Sequence, residues 1–270
     1  MKFKYFFYAV VIALILELVI FQPSNDREWK SDQTELSYAE IGVEEVEIFN
    51  IRNIDYRDVD DFDVSYYDKT FRLEDLKSVD FLVEPFSDFE GPAHTLLSFG
   101  FEGDEYVSIS VEIRKEVGEE FSPLKGLFRQ YELQYVIADE RDVIKLRTNY
   151  RKDQVYLYPM NGSQEGMQKM FISMLTRANK LKDAPEFYNT LTSTCTTNLV
   201  DHLNEVREDK LSAWNYKVLL PAFSGELAFD AGLIDTDLSF EKAREHFQIN
   251  DLAEEYGDSD DFSVKIRSGR

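Results

Sequence analysis

Polar and apolar side chains alternate from residue 107 to residue 114. The odd positions hold the apolar members, Val107, Ile109, Val111 and Ile113. The even positions hold the polar members, Ser108, Ser110, Glu112 and Arg114. Because successive side chains of a strand point to opposite faces, this pattern predicts a strand with one face toward the core. The apolar stretch 94–101 comes before this strand, and the loop Glu102-Gly103-Asp104-Glu105 joins the two. Together they predict a β-hairpin.

Shorter stretches of the chain predict further strands. They are residues 46–51, 61–71, 78–86 (where Pro85 ends the pattern) and 155–158. Residues 127–136 fit a helix or a strand equally, and the sequence leaves that choice open.

Helical spacing of apolar residues predicts three helices. The clearest covers residues 163–181, with Asn161 or Ser163 as N-cap and five apolar residues along one side that are predicted to face the core, Met167, Met170, Phe171, Met174 and Leu175. A second follows Cys195, and an acidic third covers residues 240–256. Together these elements predict an α+β fold, an antiparallel sheet with packed helices, over residues 46–270. Polar, acidic residues 23–45 are expected to form a tether or an extended entry segment.

The chain begins with two lysines and an apolar run from Tyr5 to Phe21 that only Glu17 interrupts. This arrangement is typical of both secretory signals and membrane anchors. The run is short beside the roughly 20 apolar residues of a full span. The residues around Phe21 and Gln22 are a poor cleavage site, so residues 1–22 are predicted to be a signal anchor, a single N-terminal membrane helix with the domain outside the cytoplasm.

The formal net charge of −22 limits the classes of partner. Binding to nucleic acid requires clustered Lys and Arg, so no nucleic-acid partner is expected. Charge alone also does not favour tight docking on anionic lipid. With 21 Phe and 15 Tyr the chain is predicted to be globular.

Cys195 is the only cysteine of the chain and stands directly before a helical pattern. A lone thiol forms no internal disulfide, so it is either used chemically or buried as a small hydrophobic residue. With Ser193 or Thr194 as N-cap, the sulfur would lie in the first helical turn, where backbone N–H groups and the helix dipole stabilise a thiolate. Cys195 is therefore a candidate nucleophile.

A cysteine nucleophile needs a base, and the chain has three histidines. His202 is seven residues after Cys195, on the order of 10 Å along one helix, and is predicted to be a surface or packing residue. His246 stands in a charged stretch and is predicted to be solvated. His94 opens a predicted strand after Gly91-Pro92-Ala93 and is the candidate base.

The strand paired with that of His94 offers candidates for a third catalytic residue. Ser110 and Glu112 share one face of it, and either is expected to orient the imidazole; the alternative is an ordinary polar face in water. Asp139-Glu140-Arg141-Asp142 is interpreted as a solvated turn or an ion-pair network. Three scattered histidines and one cysteine lack ligand spacing, so no metal and no other cofactor is expected.

Several stretches of the chain resemble the Lnb N-terminal periplasmic domain family, which is named after a bacterial lipoprotein N-acyltransferase. They are residues 25–29, 50–57, 94–101, 110–114, 128–133, 139–142 and 188–198. Where Asn is common just before the family's cysteine, this chain has Thr194. The order of histidine before cysteine is similar to that of circularly permuted papain-like enzymes, including the lecithin:retinol acyltransferase group. The resemblance implies a permuted papain-like core, with His94 as base and Cys195 as nucleophile.

These observations predict a periplasm-facing thiol acyltransferase or hydrolase, held by its N-terminal helix in the bacterial inner membrane. Its expected substrate is an acylated lipid or lipoprotein, processed through a thioester on Cys195. One alternative is a cysteine amidase or peptidase that acts on peptidoglycan or peptides. Another is a non-catalytic scaffold of the cell envelope, for which Cys195 should be buried and unreactive.

Overall fold

A computed structural model describes residues 22–86 and 91–269 of the chain, together with residues 4, 5 and 8. The strands are β1 (Tyr38–Ile41), β2 (Glu45–Arg52), β3 (Asp55–Tyr56), β4 (Phe62–Asp63), β5 (Tyr66–Arg72), β6 (Leu76–Pro85), β7 (Ala93–Phe101), β8 (Glu105–Arg114), β9 (Glu132–Ala138) and β10 (Tyr156–Pro159). The helices are α1 (Pro123–Leu127), α2 (Glu140–Lys145), α3 (Gln164–Asp183), α4 (Cys195–Val206), α5 (Tyr216–Leu219), α6 (Ser224–Asp230), α7 (Phe240–His246), α8 (Asn250–Glu255) and α9 (Phe262–Lys265).

One eight-stranded sheet organises the fold. Its order is β1-β2-β9-β8-β7-β6-β10, and β5 pairs with β2 beside this path. All pairs are antiparallel except β2 with β9, which meet in parallel at Arg52 and Ala138. The expectation of a mixed α+β fold with a mostly antiparallel sheet and packed helices is confirmed.

The predicted hairpin is the centre of this sheet. β7 and β8 pair with Leu96 opposite Ser110, and the connection turns through Gly103 (φ 79°) and Asp104 (φ 60°). Both turn residues are in the left-handed region, which glycine adopts at no steric cost and Asp tolerates. This register decides which side chains of the two strands become neighbours.

Helices cover both faces of the sheet. The odd-numbered side chains of β7 and β8 belong to the larger apolar core, which also contains residues of α3 and α4. The even-numbered face meets a second core built from α2, α8 and α9. The polar face of β8 is therefore not in water: Ser108 and Ser110 are fully buried and Arg114 is 2 % exposed.

Three segments differ from or refine the sequence expectations. Residues 23–45, expected to form a tether or an extended entry segment, contain β1 and pack Trp29 into the domain at 7 % exposure. The open choice for residues 127–136 resolves as β9 after the short α1. The acidic helix predicted for 240–256 is two helices, α7 and α8. It is interrupted because the backbone of Phe247–Ile249 pairs with residues 155–157 at the end of the sheet.

The predicted signal anchor, residues 1–22, lies almost entirely outside the described residues. Within the described part of the chain, no helix combines the length and apolar character needed to cross a bilayer.

Candidate functional site

Cys195 is the first residue of α4, so its thiol lies in the first turn of a helix. The N-cap is Thr194, one of the two residues that the sequence suggested. Its Oγ1 accepts a hydrogen bond from the Thr197 N–H at 3.2 Å, and Thr197 Oγ1 accepts one from the Thr194 N–H at 2.8 Å. This capping box fixes the start of the helix. The helix dipole at this end favours negative charge on the sulfur.

The thiol is also buried. Cys195 is 8 % exposed and belongs to the larger apolar core, and its Sγ lies 3.7 Å from Thr196 Oγ1. The position in the helix favours a reactive thiol, whereas the burial is what the alternative of a structural cysteine predicts. Any reagent or substrate must therefore reach the sulfur through the packing around the start of α4.

His94, Ser110 and Glu112 form a hydrogen-bonded chain on β7 and β8. His94 Nε2 lies 2.7 Å from Ser110 Oγ, and the Ser110 hydroxyl donates to Glu112 Oε1 at 2.8 Å. Because the serine gives its single proton to the carboxylate, it accepts from the Nε2–H of His94. This bonding leaves Nδ1 as the unprotonated nitrogen. Among the described residues, Nδ1 has no hydrogen-bond partner.

Arg147, in the π-helical turn after α2, places a positive charge next to Glu112, at the end of this series of hydrogen bonds. Its Nη2 donates to Glu112 Oε1 at 3.2 Å and its Nε to Glu84 Oε2 at 2.6 Å. Burial and the charge of Arg147 lower the pKa of His94 to about 3. Burial opposes ionisation of Glu112, but Arg147 and His94 outweigh it and hold the pKa of that carboxyl well below its usual range. At neutral pH the imidazole is therefore neutral, as a base must be.

Sequence reasoning missed Glu84 and Arg147. Both are charged residues inside apolar patterns, Glu84 after Phe81-Leu82-Val83 and Arg147 after Val143-Ile144. A buried charge of this kind needs a partner of opposite charge. Two such residues of opposite sign inside apolar patterns are the signal by which the pair could have been predicted.

The sheet separates the imidazole from the thiol. Thr95 Oγ1 is 3.0 Å from Thr196 Oγ1, so the Thr95 side chain faces α4. Its neighbour His94 points to the opposite face, toward Ser110 and Arg147. No hydrogen bond joins His94 to Cys195 within the described residues. The structure thus brings His94, Ser110 and Glu112 together and leaves Cys195 apart, and the catalytic roles of all four stay predictions.

The other two histidines differ in burial. His202 is 5 % exposed and bridges Tyr135 OH and Ser173 Oγ through its two ring nitrogens, each at 2.7 Å. It is a packing residue, one of the two roles expected for it, and burial lowers its pKa to about 4. His246 is exposed at the end of α7, as predicted.

The charged stretch 139–142 is an ion-pair network rather than a solvated turn. Asp142 accepts two hydrogen bonds from Arg52, at 2.8 and 2.9 Å, and Glu140 pairs with Arg267. Both carboxylates are fully buried. These pairs tie β2 and the C-terminal residues to α2.

A mainly apolar cavity lies between α3, α4 and α6, on the thiol's side of the sheet. It encloses about 1030 Å³ including its solvent-open mouth. Apolar side chains from the sheet and all three helices line it, among them Leu97, Met170, Leu199, Leu203 and Leu227. Thr196, the residue after Cys195, is part of its wall. The cavity has the apolar lining of sites that take up apolar ligands.

Comparison with known proteins gives one family. The model of the Lnb N-terminal periplasmic domain matches residues 63–222, more than half of the chain, and this range includes all four candidate site residues. No curated protein and no solved structure matches the chain. The chain belongs to the Lnb N-terminal periplasmic domain family.

Proposed function

We propose that this periplasmic domain is a thiol acyltransferase or hydrolase that accepts a fatty acyl group on Cys195. The observation that supports this most directly is the apolar cavity whose wall includes Thr196, adjacent in sequence to Cys195. An acyl chain in the cavity would have its carbonyl end near the start of α4. The substrate class is therefore an acylated lipid or lipoprotein, and the family's periplasmic character agrees with it.

The reaction needs no cofactor. The Cys195 thiolate attacks the carbonyl carbon of an ester or amide, forming a C–S bond, and the alcohol or amine leaves with the proton that the thiol gave up. Water or an amine then attacks the thioester, forming a C–O or C–N bond and releasing the sulfur, which regains a proton. N–H groups at the start of α4 that the Thr194 cap does not use would stabilise the oxyanion of each step.

His94 is the proposed base, which completes a permuted papain-like arrangement of histidine on a strand and cysteine on a later helix. Its Nε2 is anchored through Ser110 to Glu112, so the free Nδ1 is the nitrogen that would take the thiol proton. Because the imidazole and the thiol lie on opposite faces of the sheet, this role requires the beginning of β7 to rearrange when substrate binds.

Acyl transfer to the thiol is tested by intact-protein mass spectrometry with acetyl, octanoyl and palmitoyl esters of p-nitrophenol. We expect an acyl adduct on Cys195, faster for the long chains and absent in Cys195→Ala. Leu203→Trp, which fills the cavity from α4, should shift the preference to short chains while Cys195 remains acylated. An adduct elsewhere on the chain, or no preference for chain length in the wild type, would contradict the proposal.

The role of His94 is tested by the rate of thiol alkylation against pH. A rate profile that moves to higher pH in His94→Ala supports the pair. His246→Ala serves as the matched control, because His246 is an exposed histidine.

A second function is favoured by the burial of Cys195 and its separation from His94. In this version the domain is a non-catalytic envelope protein that binds acyl chains in the same cavity. It predicts that palmitate binds with equal affinity to the wild type and to Cys195→Ala, that Leu203→Trp weakens this binding, and that no ester leaves an adduct on the thiol.

A further inference from the structure

A second apolar feature lies on the outer surface, near the start of α4. Five large apolar side chains are exposed there, four on or beside α1 and one in the turn before Cys195: Phe121, Leu124, Leu127, Phe128 and Leu191. We call these five residues the apolar patch. Leu124 is 64 % exposed and Phe128 57 %. A group of large apolar side chains in water is typical of an interaction site.

The two parts of the apolar patch are held together by specific contacts. Thr190 Oγ1 donates to the Pro123 carbonyl at 2.7 Å, which ties the turn at residues 189–193 to α1. Gly126 packs so closely on Tyr188 and Thr190 that a Cβ would collide with the Thr190 hydroxyl. The N–H of Ser122, the N-cap of α1, donates to Tyr131 OH at 3.0 Å, which fastens the start of α1 to the core. The patch is therefore a built surface rather than a loose loop.

The chain enters the domain beside this patch. Gln22 and Pro23 share a surface cleft with Arg129, Asn189 and Ser193. The entry is fixed, because Ser24 N–H donates to Glu132 Oε1 at 3.1 Å and Asn25 Nδ2 donates to the carbonyls of residues 181 and 182. The apolar run Tyr5–Phe21 ends one residue before Gln22. A membrane segment formed by that run would leave no slack between the bilayer and this corner of the domain.

The charges around the patch also fit a lipid surface. Lys125 and Arg129 are exposed, and neither is within ion-pair distance of a carboxylate in the described part of the chain. Glu119 and Glu120 precede Phe121, so the surroundings of the patch carry both signs of charge, and Lys125 and Arg129 are the cations that stand on and after α1 itself. At a membrane interface, Lys and Arg lay their stems along apolar surface and hold their charges at lipid phosphates.

We propose that the apolar patch docks on the outer, periplasmic leaflet of the inner membrane. Lys125 and Arg129 contact lipid phosphates there, and the turn before Cys195 faces the bilayer. This docking orients the whole domain, with the start of α4 toward the lipid. The inference stands on the patch and the chain entry alone, and it holds whether or not Cys195 is catalytic.

Depth-dependent fluorescence quenching tests this proposal in the full chain. The chain is reconstituted into vesicles of phosphatidylethanolamine and phosphatidylglycerol with phosphatidylcholine brominated on its acyl chains. Trp214→Phe provides the background, in which Trp29 stays buried. Leu124→Trp places a probe in the patch. The matched control is Val43→Trp, at a residue 96 % exposed in the turn between β1 and β2.

We expect bromine to quench the Leu124→Trp probe strongly and to leave Val43→Trp near the background. Equal quenching of the two probes would overturn the proposal, as would a chain that does not float with the vesicles. A Leu124→Trp emission that shifts to the blue with protein concentration in detergent, and that bromine does not quench, would assign the patch to a second copy of the chain instead.

Discussion

Ser110 is the residue on which the hydrogen-bonded chain from His94 depends, because among the described residues it is the one that bonds both the imidazole and the carboxylate of Glu112. It is fully buried, so Ser110→Ala leaves two partly buried polar groups without this partner. We expect the free energy of unfolding to fall by about 1 to 3 kcal/mol. The measurement is urea denaturation of the wild type and the variant.

The strand supplies its own control for that substitution. Ser108 lies on the same face of β8 and is also fully buried, but its hydroxyl has no hydrogen-bond partner in the described structure. Ser108→Ala should therefore leave the free energy of unfolding unchanged or raise it slightly. Equal losses in the two variants would show that the cost comes from packing at serine positions and not from the bridge to His94.

His94 makes stability depend on pH in a defined direction. Burial and Arg147 lower its pKa to about 3, against about 6.5 in an unfolded chain, so between these values the unfolded state binds more protons. Stability from this group is complete above the unfolded pKa and is lost as the pH falls toward the folded one. In His94→Gln, which keeps a donor for Ser110, the loss between pH 7 and pH 5 should be smaller by about 2 kcal/mol.

That pH effect is measured by urea unfolding at several pH values. His246→Gln, at an exposed histidine, is the matched substitution and should follow the wild-type curve. A His94→Gln curve parallel to the wild type would mean that the imidazole is protonated as easily in the folded chain as in the unfolded one. Burial and Arg147 would then not be what keeps the imidazole neutral.

The sequence predicts the contacts of the site that join residues close in the sequence, and it does not predict those that join distant elements. Ser110 and Glu112 were predictable as neighbours of His94, because a hairpin register and a two-residue period are local properties. Arg147 comes from a different element, and nothing local shows which strand it meets. The face on which Cys195 lies depends on the side from which α4 packs on the sheet, and a helical pattern alone does not contain that information.

At the scale of elements, α4 depends on its cap. Thr194 and Thr197 satisfy each other's backbone N–H groups, so Thr194→Ala removes one hydrogen bond directly and loosens the second. We expect a loss of about 1 kcal/mol in the free energy of unfolding, and little loss in Thr194→Ser, which keeps the oxygen. The rate of Cys195 alkylation, measured on the same samples, should rise in Thr194→Ala as the first turn frays, and should stay at the wild-type rate in Thr194→Ser.

The sequence predicts well those elements that have a regular side-chain period and are held by hydrogen bonds between residues close in the sequence. The β7–β8 hairpin and α3 belong to this group, and the cap of α3 is Ser163, one of the two expected residues. The prediction of one acidic helix over residues 240–256 is wrong, because residues 247–249 make long-range hydrogen bonds in place of helical ones. The Ile249 N–H donates to the Val155 carbonyl. The segment before residue 46 looks polar, yet it folds because Trp29 and β1 find partners far along the chain.

At the scale of the whole molecule, Arg267 fastens the C-terminal residues to the sheet. Its guanidinium donates to Asp80 at 2.7 Å and to Glu140 at 2.5 and 2.8 Å, and it lies 3.9 Å from the ring centre of Tyr106. Both carboxylates are buried, at 2 % and 0 % exposure. Nothing in the sequence pairs these residues, because 187 positions separate Asp80 from Arg267.

Removing Arg267 therefore takes a buried cation away from two buried carboxylates. In Arg267→Met, which keeps most of the apolar stem, we expect the free energy of unfolding to fall by about 3 to 5 kcal/mol, because the fully buried Glu140 loses its ion-pair partner. Arg57→Met is the matched control: Arg57 also pairs with two carboxylates, Asp61 and Asp63, but in a solvent-exposed cluster, so its loss should change stability little. Urea denaturation of both variants measures the difference. Since α8 and α9 also pack on the sheet through the second apolar core, we expect Arg267→Met to unfold in one transition rather than to release the C-terminal helices alone. A separate early transition in that variant would show that α8 and α9 are an appendage, and that the face of the sheet bearing His94 does not need them.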